Sequence, residues 1–137
     1  MDAAPLARAA IENICSGEQL STAADYYSPQ FVDHINAMEF HGLDGVRRSV
    51  GLYRQLFPDM RFMVEEQVTE GNRVASRWAL HGSHRGRKVR LTGITISRIE
   101  GGKIVEDWGA TDTIALVRQL GVWRSALLLI RHPSLLR

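Results

Sequence analysis

Three acids crowd the second half of one short stretch, "RIEGGKIVEDWGATD" at 98–112: Glu106, Asp107 and Asp112. A carboxylate in an apolar site has its pKa raised, because desolvation disfavours its charge, and that suits it to acid–base work. Asp107 is the candidate for that task; a solvated or ion-paired strand residue is the competing reading. Glu106 points to the other face of the same strand and reads as structural or interfacial. Asp112, directly ahead of "TIALVRQLG", reads as a helix N-cap whose side chain meets free N–H groups of the first turn. His34, in "FVDHI", is the second candidate for acid–base work, since an imidazole titrates near neutrality. A histidine bonded to backbone at a strand end is its alternative. Trp78 shares a strand face with Val74, Ser76 and Leu80, as core or as a wall that stacks on a flat ligand. Tyr53, on the inner stripe of a helix, is core or a hydroxyl aimed into a pocket. His81 lies on the face opposite Trp78, and His84 near a hairpin end. With His34 they fall on separate elements without an HxH or HxxxH pair, so no metal is expected.

The elements that must hold these groups follow from periodicity. The spacing predicts a helix from about Ala3 to Cys15, with Pro5 in its first turn and Gly17 as its stop. A short helix over Ser21–Tyr27 follows, ended by Ser28 and Pro29, and then a short strand, "QFVDHI" (30–35). Val46, Val50, Tyr53 and Leu56/Phe57 recur at helical spacing as far as Pro58. From Met60 the period becomes two. Four strand-like runs (60–69, 73–84, 88–99 and 103–111) are separated by the turn signals "EGN", "RGR" and "EGG". Short connections imply an antiparallel meander. Asp112 then opens a helix stopped by Gly121. Helices first and strands after make this α+β, a curved antiparallel sheet wrapped around N-terminal helices. In the last strand, alternation puts Val105, Asp107 and Gly109 on one face and Glu106, Trp108 and Ala110 on the other, an order that a bulge reverses.

The 137 residues form one domain, 1–121, with 122–137 ("VWRSALLLIRHPSLLR") as an apolar, basic extension expected to pack on the sheet or across a subunit interface. Net charge is +2, and the basic residues are spread rather than clustered among aromatics, which excludes a nucleic-acid surface. No apolar run is long enough to span a bilayer, so membrane contact is not expected. The N-terminus lacks a secretory core, and the single Cys15 makes no internal disulfide; a reducing cytoplasm is the expected compartment.

Taken in order, "FVDH", "LFPDMRFMVEEQVTEGNRVASRW", "GSHRG", "TGITISRIEGGKIVEDW" and "DTIALVRQLGV" resemble the SnoaL-like polyketide cyclase and ester cyclase family of the NTF2-like superfamily, over roughly residues 5–122. The resemblance implies a conical pocket closed by the first helices, and a homodimer built through the sheet's outer face. It also implies an intramolecular aldol ring closure without metal or cofactor. In that chemistry a pocket carboxylate takes a proton from between two carbonyls, and a neighbouring donor steadies the enolate. The family's acid on the last strand falls at Gly109 and its partner histidine at Thr95, so neither is present here. Asp107, two residues before Gly109, shares its face and is placed to enter the pocket one rung deeper.

These readings combine into one expectation. Asp107 and His34 act as the catalytic groups, and Trp78, Tyr53, Thr95 and Gly109 contact a small hydrophobic carbonyl compound. The chain works without a cofactor, as a cyclase or isomerase, and as a homodimer. Non-catalytic binding of a hydrophobic ligand, and a dimeric scaffold, are the alternatives.

Overall fold

The structure, a computed structural model, describes residues 2–121 and 130–131, so the expected packing of the 122–137 extension lies outside the described residues. Helix α1 (Ala3–Ala9) continues as a wider π-type coil over Ala10–Cys15, burying Leu6, Ala7, Ala10, Ile11 and Ile14. A 3-10 turn, Leu20–Asp25, leads into β1 (Tyr27–Ile35), and a short β2 (Met38–His41) precedes α2 (Gly42–Leu56). The meander is β3 (Arg61–Glu70), β4 (Arg73–His84), β5 (Arg87–Glu100) and β6 (Lys103–Thr111). Helix α3 (Thr113–Leu120) starts where the Asp112 carboxylate accepts from Ala115 N at 3.0 Å, and ends at Gly121 with φ +81°. The expected α+β architecture is therefore present: helices packed on one side of a curved sheet. No helix among the described residues is long and apolar enough to cross a membrane.

The six strands run in the order β2-β1-β6-β5-β4-β3. Neighbouring strands of the meander pair antiparallel, and the turns Arg85–Gly86 and Gly101–Gly102 hold positive φ at both central positions, the backbone of a tight two-residue hairpin. Periodicity does not reveal two features. Four-residue β2 is too short to show a pattern, and β1 pairs parallel with β6, the far end of the chain. β1 also starts at Tyr27 rather than Gln30. Pro29 lies inside it, where the β1–β6 register is interrupted between Tyr27 and Val32, so its missing N–H breaks no ladder bond.

A bulge sits between Ile104 and Glu106 on β6, since Arg98 pairs with Glu106 but Ile99 with Ile104. It takes up Val105, so Ile104 and not Val105 joins Asp107 inside, at 1% exposure. The core fills the space under the sheet with Ile11, Ile14, Phe31, Val46, Val50, Phe62, Trp78 and Leu80. At the open edge, β3 is tied down by helix side chains. Phe62 N donates to Ser16 Oγ (2.9 Å), Val64 N to Glu12 Oε2 (3.2 Å), and Arg8 Nη1 to Val64 O (3.1 Å).

Trp78 is the largest side chain on the inner face, and it depends on a missing one. A Cβ at Gly93, its cross-strand partner, would lie 2.4 Å from Trp78 Cζ2 and 2.7 Å from Ala110 O. Gly93→Ala is expected to push the indole aside and destabilise the fold by about 1–3 kcal/mol in urea unfolding. An unchanged midpoint would mean that the indole does not need that glycine.

Candidate functional site

The register just described puts a set of polar groups on the concave face. Asp107, Gly109 and Thr111 of β6 stand opposite Ser97, Thr95 and Gly93 of β5. On the other side, Asp33 and Ile35 of β1 lie level with Asp107 and Gly109. The π-type coil contributes Ile11 and Cys15, and α2 contributes Val46, Ser49, Val50 and Tyr53. Tyr27, Phe31, Phe62 and Trp78 complete the lining of a narrow cavity of about 60 Å³. Among the described residues, no Lys, Arg or His lines it.

Electrostatically the cavity holds acids alone. Asp107 is 7% exposed, and its Oδ1 is buried without a hydrogen-bond partner. Burial pushes its carboxyl up to about 7, against the opposing effect of the Ser97 hydroxyl beside it. Asp33 is raised well above the usual carboxylate range, first by burial and then by the charge of Asp107. The Cys15 thiol is pushed up to about 12, by burial first and then by the two aspartates, and its Sγ lies 3.9 Å from the Tyr27 hydroxyl. Tyr27 and Tyr53 are raised by burial above all, so both phenols stay neutral at physiological pH. A base whose pKa sits near 7, in an apolar cavity with neutral donors around it, is suited to removing a proton from an activated C–H.

Of the residues singled out from the sequence, Asp107, Trp78, Tyr53, Thr95 and Gly109 all line this cavity. Trp78 Nε1 donates to Thr95 Oγ1 at 2.9 Å, which fixes the indole as a flat wall. A Cβ at Gly109 would meet only Thr95 Oγ1 at 3.6 Å and His34 O at 3.8 Å, so there is room for a side chain. His34 is the correction. Its ring lies on the outer face, stacked on Trp108 at 5.6 Å, with Nε2 2.7 Å from Glu106 Oε2. Arg73 covers the Trp108 ring at 5.1 Å, and Arg98 completes the ion pairs of Glu106. The reason is strand alternation: buried Phe31 fixes the inner face of β1, so Asp33 and Ile35 point in while His34 points out. The same argument from Phe31 was the available signal for Asp33, which the sequence reading passed over. Ser97 shares the face of Thr95 by the same alternation, but its pairing with Asp107 is set by the bulge at Val105.

The model of the family described as SnoaL-like polyketide cyclase matches residues 6–120. The chain belongs to that family. No curated protein matches it. Among solved structures it is similar to a loop-truncated variant of IdmH, a polyketide-cyclase candidate from Streptomyces antibioticus, with 25% identity and TM-score 0.77 over 88% of this chain and 100% of that one. A SnoaL-like polyketide cyclase from Agrobacterium tumefaciens shares 22% identity over 88% and 99% of the two chains, with TM-score 0.74. A protein of ketosteroid isomerase-like fold from Catenulispora acidiphila, in complex with trimethylamine, shares 12% identity over 80% and 88%, with TM-score 0.71. The last two likenesses concern the fold. In this SnoaL-like chain the polar groups of the cavity floor come from β1, β5 and β6 together.

The raised pKa of Asp107 has a consequence for stability. The folded state favours its neutral form, so no penalty exists below about pH 4, and one builds as pH rises to about 7 and persists above it. Asp107→Asn removes that penalty. Unfolding free energies from urea melts are expected to favour the variant increasingly from pH 4 to 8, by on the order of 2–4 kcal/mol in total. A pH-independent difference would show that Asp107 ionises as freely as in water.

Proposed function

We propose that this SnoaL-like protein is a cofactor-free cyclase or isomerase acting on a small hydrophobic carbonyl compound. In this reading Asp107 takes the proton from the carbon between or beside carbonyl groups. The carbanion delocalises as an enolate, which bonds to a second carbonyl carbon in the ring-closing case, and the proton then goes to the new alkoxide. The observation that carries the reading is the Oδ1 atom of Asp107, buried, unpartnered and lining an apolar cavity to which the described residues contribute no cation. Trp78 supplies the wall against which a planar substrate lies, and Tyr53 and Thr95 supply hydroxyls.

One observation favours the other reading, a pocket that binds a hydrophobic molecule and transforms nothing. Gly109 and Thr95 stand where the family's acid and histidine are expected. Turnover and ligand binding, measured on a panel of β-keto esters and cyclic ketones, separate the two. Asp107→Asn is expected to keep binding within a few-fold and to lower turnover by roughly 10²–10⁴-fold. Equal turnover would remove Asp107 from the chemistry. Gly109→Asp, for which there is room, is expected to restore at best weak activity to that variant, since Thr95 still replaces the histidine.

The partner in assembly is a second copy. Val68, Ala75, Ile96 and Trp108 are aligned across the outer face of β3–β6, with Val68 64% and Ile96 39% exposed. Met63 and Ile94 extend this apolar surface, which a second sheet would cover. Cytoplasmic placement fits a chain whose lone cysteine is held as a neutral thiol. Ile96→Glu is expected to convert the dimer to a monomer in sedimentation or light scattering at micromolar concentration. A wild-type monomer under those conditions would rule out the assembly.

A further inference from the structure

We propose that Asp33 and Asp107 work as one unit holding a single proton, Asp33 presenting it to a carbonyl oxygen while Asp107 takes the proton from the adjacent carbon, and that the cavity therefore admits only uncharged carbonyl compounds. This deepens the carbon-acid reading given above and rests on it.

Asp33 and Asp107 are level on parallel neighbouring strands, and such strands run about 4.8 Å apart, so both carboxyls share one face and one cavity. The other titratable groups facing them are Cys15 from the π-type coil, Tyr27 from β1 and Tyr53 from α2, all neutral at physiological pH. With no Lys, Arg or His in the lining among the described residues, two negative charges on these neighbouring strands have nothing there to offset them. One proton therefore stays. Its place is decided by Ser97, which faces Asp107 across the β5–β6 ladder, is 1% exposed, and favours the ionised form of Asp107. Asp33 is left as the protonated member, raised by burial and by the charge of its neighbour.

A carbon-acid reaction needs these two states side by side. The ionised Asp107 accepts the proton of the C–H bond, whose electron pair forms the C=C of the enolate. The carbonyl π pair moves to oxygen, and that oxygen accepts a hydrogen bond from the Asp33 carboxyl, which strengthens as charge develops. In ring closure the enolate carbon then bonds to a second carbonyl carbon. The oxygen of that carbonyl receives the proton from Asp107, so both carboxyls return to their starting states without a co-reactant. A carboxylate or phosphate on the substrate near this pair would meet a like charge in an apolar cavity with no cation to offset it.

The test is a pH titration of the full-length chain by NMR with aspartate carboxyl carbons labelled, in wild type, Asp33→Asn and Asp107→Asn. In wild type the two carboxyls are expected to titrate together, with the upper step well above the ordinary carboxylate range. Removing the charge in Asp107→Asn lowers the midpoint of Asp33 by at least tenfold in proton affinity; Asp33→Asn moves Asp107 less. Independent titrations, or a larger drop in Asp33→Asn, overturn the assignment. In a second arm, binding of 2-cyclohexenone and of 1-cyclohexenecarboxylate is compared at pH 8. The ketone is expected to bind, with its carbonyl carbon shifted downfield in wild type and not in Asp33→Ala. Equal binding of the carboxylate, or an equal shift in Asp33→Ala, overturns the proposal. The two layers fail separately: a shared proton without turnover of any β-keto ester by wild type sinks the enzymatic reading alone, and turnover with independent titrations sinks the pair alone.

Discussion

The parallel pairing of β1 with β6 is the constraint on which the rest of the structure depends. It joins a strand near the start of the chain to the last strand of the meander, closes the cavity on the side away from β3, and brings Asp33 level with Asp107. An ionised carboxylate buried without a partner is unfavourable by roughly several kcal/mol, and two of them compound that penalty. The fold tolerates the arrangement because the surrounding core is extensive. Phe31, Phe57, Ile14 and Leu80 are each essentially inaccessible to solvent, and the helices that bury them also roof the acids. A site of this kind is a local departure from what stability alone would select, which marks it as a candidate functional site.

Around the acids, space has been redistributed relative to the family pattern. Gly109 leaves room where the family's acid is expected, and Thr95 accepts from Trp78 Nε1 where a histidine is expected. The indole lies flat because Gly93 has no side chain to hold it off. The carboxyls that line this cavity are Asp107 on β6 and, level with it, Asp33 on β1. Membership of the SnoaL-like family accounts for the fold.

The two faces of β6 carry different tasks within five residues. Asp107 and Gly109 face the cavity. Glu106 and Trp108 face outward, Glu106 into an ion pair with Arg98 and a hydrogen bond with His34, and Trp108 into a stack with the His34 ring. A one-residue slip would exchange the sets, placing an indole in the cavity and an acid on the surface. The bulge at Val105 and the two-glycine turn at 101–102 hold the register against that exchange.

Much of this was legible in the chain itself. Period-two alternation and turn residues located the four meander strands, and the Asp112 cap and Gly121 stop located α3, because these are local effects of backbone geometry and side-chain polarity. Alternation put Asp107 and Gly109 on one strand face and Trp78 on the apolar face of its strand, and the family resemblance pointed to Thr95; all four line the cavity. Tertiary structure alone decided the parallel β1–β6 pairing, the bulge that moved Ile104 inward in place of Val105, and the outward turn of His34. The partnership of Asp33 with Asp107 belongs to the same group. Its residues are 74 positions apart, and nothing in either local pattern encodes the contact. It arises only when the sheet curves round the helices and brings the two strands into register.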